Sequence, residues 1–144
     1  GLVVVGADYV QRHQFFVIPS AVAVSFALLV GNILVINGFP DAQADAQVGK
    51  RTLVVRLGAR WAAWAYLVFA LLAYMWLAAG VWFFIQPEPA LWGLVSVPLS
   101  LWAFLLLHKH ADQPARLTSA IVLTIAAAVV HGLAMSAGLI TLIF

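Results

Sequence analysis

The sequence predicts an all-α protein, a polytopic bundle of transmembrane helices. Hydrophobic residues make up 65% of the 144 residues and charged residues only 8%, and the mean hydropathy is +1.07. Soluble domains are roughly a quarter charged, and one of this size could not bury so much apolar surface in water. Four apolar runs are long enough for the helix of about 20 residues that crosses a bilayer. The backbone in lipid must satisfy its own hydrogen bonds, so these runs are expected to be helices.

The runs follow one another along a single membrane domain, residues 1–144, and lie at about residues 15–36, 61–85, 90–107 and 117–144. Pro19 is tolerated in the opening turn of the first run. The second run ends at Gln86-Pro87-Glu88-Pro89, and Pro98 inside the third predicts a kink. Residues 1–5 are typical of the tail of a preceding span. We therefore expect about four full spans plus this tail, as a fragment or the ordered part of a longer polytopic protein.

The basic residues give the bundle a predicted orientation. Six of the seven fall in the connections on one side: Lys50, Arg51, Arg56, Arg60, Lys109 and Arg116. Only Arg12 falls on the other side. Lysine and arginine concentrate in cytoplasmic loops, so residues 37–60 and 108–116 are predicted to be cytoplasmic. The net charge of +2 is too small and too local to indicate a nucleic-acid partner, and the absence of cysteine excludes a thiolate metal site.

A short acidic segment, part of a predicted cytoplasmic cap over residues 37–60, carries the candidate chemistry. Asn37, Asp41 and Asp45 are spaced four residues apart, so on a helix they share one face. Pro40 suits a first helical position and Gly49 a stop, which predicts a separate short helix over about residues 40–48. Carboxylate and carboxamide oxygens are hard ligands that fit Mg²⁺.

Basic residues follow the acids at once. Lys50 and Arg51 could bind the second side of a diphosphate. On spacing alone, however, the two acids could equally be solvated loop charges, and the two basic residues are more typical of headgroup anchors. Thr52 is predicted to cap a turn over residues 53–57.

The whole stretch from Asn37 to Gly58, with its tail GKRTLVVRLG, resembles the second Asp-rich motif of the UbiA superfamily of intramembrane prenyltransferases. The tail is similar to that of the dihydroxynaphthoate polyprenyltransferases of menaquinone synthesis. Residues 6–11, GADYVQ, resemble the end of the preceding helix in that branch. The sequence departs from relatives at Gly38 and Pro40, and the other Asp-rich motif of the family, in the first half of its nine-helix fold, is not in this sequence.

The resemblance implies Mg²⁺-dependent transfer of a polyprenyl group from polyprenyl diphosphate to an aromatic, quinone-precursor-like acceptor in the membrane. Asp41 and Asp45 would be the metal-binding catalytic residues, and Asn37, Lys50 and Arg51 would bind substrate. The implied location is the bacterial inner membrane, among membrane lipids. The implied partner is the missing N-terminal half or a neighbouring membrane subunit.

Several alternatives stay open at this stage. The chain could be a non-catalytic subunit or half-molecule that binds lipid or quinone in a larger complex. The sequence lacks the DG…AR…G…DxxxD pattern of CDP-alcohol phosphotransferases. It has only one ionisable residue deep in a span, His131, which argues against a transporter. His131 is either functional or a neutral imidazole bonded to the backbone of a neighbouring helix. His108 and His110 favour interfacial positioning over a metal site.

Overall fold

The computed structural model describes residues 6, 9–10, 13 and 17–142. These residues contain helices and no strand. The helices are α1 (Val17–Gln47), α2 (Leu53–Leu57), α3 (Ala59–Trp82), a 3-10 helix (Glu88–Ser96), α4 (Val97–His110), a short 3-10 turn (Pro114–Arg116) and α5 (Thr118–Ile140). The predicted span tail at residues 1–5 lies outside the described residues, as do Ala7, Asp8 and Gln11 of the GADYVQ segment.

Four helical segments are long and apolar enough to cross a membrane, so the chain is an integral membrane protein. They are Val17–Gln47, Ala59–Trp82, Glu88–His110 and Thr118–Ile140. The prediction of an all-helical membrane bundle is confirmed. Helix α1 packs on α3 and α5, and α5 also packs on the 3-10 helix and on α4.

Helix α1 differs from its prediction. The separate helix predicted at residues 40–48 is wrong, because α1 runs without a break from Val17 through Pro40 to Gln47. The fixed φ of proline suits a helix, but Pro40 removes the hydrogen bond that an N–H there would give to Ile36 O, and its ring crowds that carbonyl. The acidic segment is therefore the last part of the first span.

The turn after α1 is set by Gly49. Its φ of 74° is left-handed, its N–H donates to Ala46 O at 3.2 Å, and the N–H of Lys50 donates to Asp45 O at 2.8 Å. This pair of bonds is the Schellman helix end. The predicted cap of the next turn is confirmed, since Thr52 Oγ1 accepts from the N–H of Val55 at 3.4 Å.

The third span also differs from its prediction. It begins as the 3-10 helix and changes to α-helix at Val97, so Pro98 lies in the first turn of α4 and not inside a helix. A proline there costs no internal hydrogen bond, because the first N–H groups of a helix have no partner within it. The irregularity predicted at Pro98 is thus the 3-10 segment that precedes it.

Small residues form the packed interior of the bundle. The buried face of α3 carries mostly alanine and glycine, with two tyrosines and a leucine: Ala62, Ala63, Tyr66, Ala70, Ala73, Tyr74, Leu77 and Gly80. Large apolar side chains such as Trp61, Leu72 and Met75 lie on the outside. Helices in lipid approach closely over small residues, because the solvent there is as apolar as leucine.

Candidate functional site

The basic connections meet at one end of the bundle, which we call the basic end. A single buried cluster joins the end of α1 (Phe39), the short helix α2 (Val54), the start of α3 (Ala62), the end of α4 (Leu107) and the start of α5 (Leu117). The six basic residues that the sequence places on one side of the membrane are all exposed in the connections at this end: Lys50, Arg51, Arg56, Arg60, Lys109 and Arg116. The alternation of the spans therefore collects these charges at one surface.

The predicted site residues lie on the final turns of α1. Asn37, Asp41 and Asp45 are all helical and occupy one face, since residues four apart on a helix are neighbours. Ile36 and Phe39 face the bundle interior instead. Asn37 and Asp41 are exposed, whereas Asp45 is buried, at 8% exposure. The acid face thus lies largely on a side of α1 that the described helices leave uncovered.

Lys50 holds the deeper carboxylate. Its Nζ donates to Asp45 Oδ1 at 3.0 Å, where a Schellman end more often has an apolar contact. The lysine side chain is 63% exposed, so the pair is worth at most about 1 kcal/mol. The Asp45 side chain is only 11% exposed, so Lys50 can exchange it for another anion at little cost only if a second cation then neutralises the carboxylate. Arg51 is exposed, and within the described part of the chain it makes no ion pair.

These oxygen donors fit Mg²⁺ under one condition. Among the described residues no group of three or more His, Cys, Asp or Glu side chains could hold a metal ion. Magnesium commonly binds through one or two carboxylates together with substrate phosphates and waters. The oxygen donors available here are the Asp41 carboxylate, the second oxygen of Asp45 and the Asn37 carboxamide. They complete a Mg²⁺ site only if a phosphate supplies further ligands.

One cavity at the basic end is lined by residues other than the two acids. Its volume is about 370 Å³, and it lies between the end of α1, the start of α3 and the turn after α4, with Phe39, Gln43, Ala59 and Asp112 in its lining. Gln43 is two residues from both acids, so it faces nearly the opposite side of α1. A ligand of the carboxylates would therefore approach from outside the described helices.

His131 belongs to a different part of the molecule. It is fully buried, with Nδ1 3.0 Å from Gly93 O and Nε2 3.0 Å from Ser25 Oγ. A carbonyl oxygen can only accept, so we assign the proton to Nδ1; Nε2 is then an acceptor for the Ser25 hydroxyl, whose other acceptor within reach is Val22 O at 3.2 Å. Ser25 precedes Asp41 by 16 residues, about 24 Å along the helix. The geometry matches the alternative of a neutral imidazole bonded to a neighbouring backbone.

His108 has aromatic neighbours. Its ring stacks on Phe104 at 5.6 Å and meets Trp64 edge to face at 5.4 Å. These contacts fit the interfacial positioning that the sequence favours for this histidine.

The sequence reasoning missed the polar residues inside the spans. Asn32 is 1% exposed, its Nδ2 donates to Tyr66 O at 3.0 Å, and its Oδ1 has no hydrogen-bond partner among the described residues. Tyr66 Oη lies 3.0 Å from Thr124 Oγ1, so Tyr66 is bonded to α1 through its backbone carbonyl and to α5 through its hydroxyl. Polar side chains in lipid normally turn inward and pair. An asparagine near the middle of an apolar run was the signal that could have found these hydrogen bonds.

Comparison with known families identifies one match. The profile of the UbiA prenyltransferase family covers residues 1–121, which includes the acid face and both basic connections. Comparison with curated proteins and with solved structures gave no match.

Proposed function

The chain belongs to the UbiA prenyltransferase family, and we propose that it acts in Mg²⁺-dependent transfer of a polyprenyl group from polyprenyl diphosphate to an aromatic, quinone-precursor-like acceptor. The observation that carries this proposal is the acid face. Asn37, Asp41 and Asp45 lie on one face of the final turns of α1, where Asn37 and Asp41 are exposed and Asp45 is buried beside them. A charged headgroup could reach this face while its apolar chain stays in lipid.

Each residue has a proposed role in binding the diphosphate. Asp41 and Asp45 hold the metal, and Asn37 orients it through its carboxamide oxygen. The chemistry that bound Mg²⁺ supplies is stabilisation of the leaving diphosphate as the allylic C–O bond breaks. Lys50 exchanges its weak bond to Asp45 for a diphosphate oxygen, and Arg51 offers a second cation beside it. The bilayer keeps water away from the allylic cation until the acceptor carbon attacks.

The finer assignment rests on the sequence motif. The tail GKRTLVVRLG supports the menaquinone branch, and the basic end supports a cytoplasmic site on the bacterial inner membrane. In this proposal the missing half of the site, with the other Asp-rich motif, faces the open side of α1. The chain then supplies the C-terminal half of the cavity.

Substitution of the acids tests the proposal in the full-length protein. Asp41→Asn and Asp45→Asn are expected to lower prenyl transfer about a hundredfold or more, because each loses one metal-binding charge. Both variants should also need more Mg²⁺ for half-maximal activity. The matched control is Asp112→Asn, an exposed acid at the same end but outside the acid face, which should stay within about twofold.

Folding must be checked alongside activity. Circular dichroism and thermal unfolding in detergent should show that the three variants fold like the wild type. Transfer by folded Asp41→Asn within a few-fold of wild type would contradict the metal assignment.

A non-catalytic half-molecule is the second candidate. The described residues bring together only two carboxylates, Asp41 and Asp45, where the family resemblance implies two acidic motifs. Such a protein would bind quinone or lipid but transfer nothing. Absence of product from the wild-type full-length protein with several prenyl diphosphates, Mg²⁺ and aromatic acceptors would favour this candidate.

A further inference from the structure

A second cavity at the basic end lies on the outer surface of the bundle. It has a volume of about 280 Å³ and is lined by Arg60, Trp61 and Trp64. Trp61 is 69% exposed and Trp64 43%, whereas Ala62 and Ala63 between them are buried against the other helices. The cavity therefore opens towards lipid, away from the bundle interior.

Helix α4 lies beside this cavity, which α3 residues line, and we call the cavity together with the adjoining end of α4 the groove. The ring centroid of Trp64 lies 5.5 Å from that of Phe104 and 5.4 Å from that of His108. Aromatic contacts therefore join the first turns of α3 to the last turns of α4. Lys109, next to His108, is exposed at the same level. Deeper in the membrane, the outer faces of the two helices continue with exposed apolar side chains, Val68 on α3 and Leu105 on α4.

The charge of the groove is not balanced within the described part of the chain. Arg60 is exposed and makes no ion pair there. It also lies in the first turn of α3, where the helix dipole disfavours a cation and favours an anion. The acids at this end lie elsewhere: Asp41 and Asp45 are on the final turns of α1, where Asp45 pairs with Lys50, and Asp112 lines the cavity beside Phe39 and Gln43. An anion bound at Arg60 would offset both effects.

We propose that this groove binds the headgroup phosphate of an anionic phospholipid. The Arg60 guanidinium binds the phosphate, in the bidentate geometry that arginine allows. Trp61 and Trp64 contact the lipid at the level of its glycerol group, where tryptophans commonly lie at membrane interfaces. The acyl chains follow Val68 and Leu105 into the bilayer. Basic pockets between transmembrane helices are a known form of anionic-lipid site.

Native mass spectrometry of the purified protein in detergent tests this site. The protein is titrated with dioleoylphosphatidylglycerol or with neutral dioleoylphosphatidylcholine, and bound lipids are counted. One phosphatidylglycerol per chain is expected to bind about tenfold more tightly than phosphatidylcholine. Arg60→Gln should remove that preference. Trp64→Leu, which removes one wall, should weaken phosphatidylglycerol binding about fivefold.

The control variant is Arg116→Gln, which removes the same charge from the same end outside the groove. It should change binding by less than about twofold. Equal binding of the two lipids, or equal losses in Arg60→Gln and Arg116→Gln, would overturn the proposal in favour of diffuse attraction. Displacement of the lipid by inorganic diphosphate with Mg²⁺ would also overturn it, because the groove would then be a diphosphate site.

Discussion

Gly138 lies where α5 meets the 3-10 helix, and alanine there should loosen the contact between them. A Cβ built on Gly138 falls against the Pro89 carbonyl group, in contact with its oxygen and 2.9 Å from its carbon. It also falls 3.1 Å from Cγ of Trp92. The obstructing group is backbone, so no side-chain rotation can make room. Gly138→Ala must therefore displace the 3-10 helix or α5.

The expected cost follows from two opposing effects. Overpacking a close contact costs about 1–3 kcal/mol. Alanine is favoured over glycine inside a helix by about 1 kcal/mol, which offsets part of this cost. Because the obstructing group is backbone, the cost should lie in the upper part of that range, about 2–3 kcal/mol, and the net loss should then be about 1–2 kcal/mol. In a chain of this size that lowers the melting temperature by roughly 3–6 °C.

Gly31→Ala is the matched control for this measurement. Gly31 is helical in α1, and a Cβ there has nothing within 4 Å, so only the helix preference acts. Thermal unfolding in one detergent, followed by circular dichroism, should rank the proteins with Gly31→Ala at or above wild type and Gly138→Ala below. A Gly138→Ala protein as stable as the control would refute the close contact.

Two further substitutions test the backbone and the buried polar groups. Gly58 has φ 78° and ψ 158°, a region almost restricted to glycine, so Gly58→Ala should cost about 1–3 kcal/mol and lower the melting temperature in the same assay. His131→Phe removes the hydrogen bonds to Gly93 and Ser25 and should destabilise by about 2 kcal/mol, with prenyl transfer per folded molecule of the full-length protein within a few-fold of wild type. A large loss of transfer with unchanged stability would show that His131 has a functional role.

The four spans could be predicted from sequence because lipid leaves the backbone little choice. A run of about 20 apolar residues without charges must be helical there. The ends were harder to predict, and Pro40 shows why. The φ of proline fits both the first position and the interior of a helix. The sequence alone therefore did not show whether a new helix begins at Pro40 or α1 runs through it.

The acid face was predictable, but its environment was not. The spacing of Asp41 and Asp45 places them together on any helix. The burial of Asp45 and its bond to Lys50 depend on the left-handed turn at Gly49, which brings the chain back over the helix end. The side of α1 that packs depends on long-range contacts such as that between Asn32 and Tyr66. No local pattern specifies those contacts.

The unbroken course of α1 ties the height of the carboxylates to the membrane itself. A helix of 31 residues is about 46 Å long, whereas the hydrocarbon core of a bilayer is roughly 30 Å thick. The final turns of α1 therefore extend beyond the hydrocarbon core. A tilt of α1 in the membrane would therefore change the depth of Asp41 and Asp45. The easiest place for them to move independently is between Gly38 and Pro40, where the helix has its weakest formers and one missing bond. Bilayer thickness and bending of α1 between Gly38 and Pro40 would then together determine how far the acids extend into the headgroup layer.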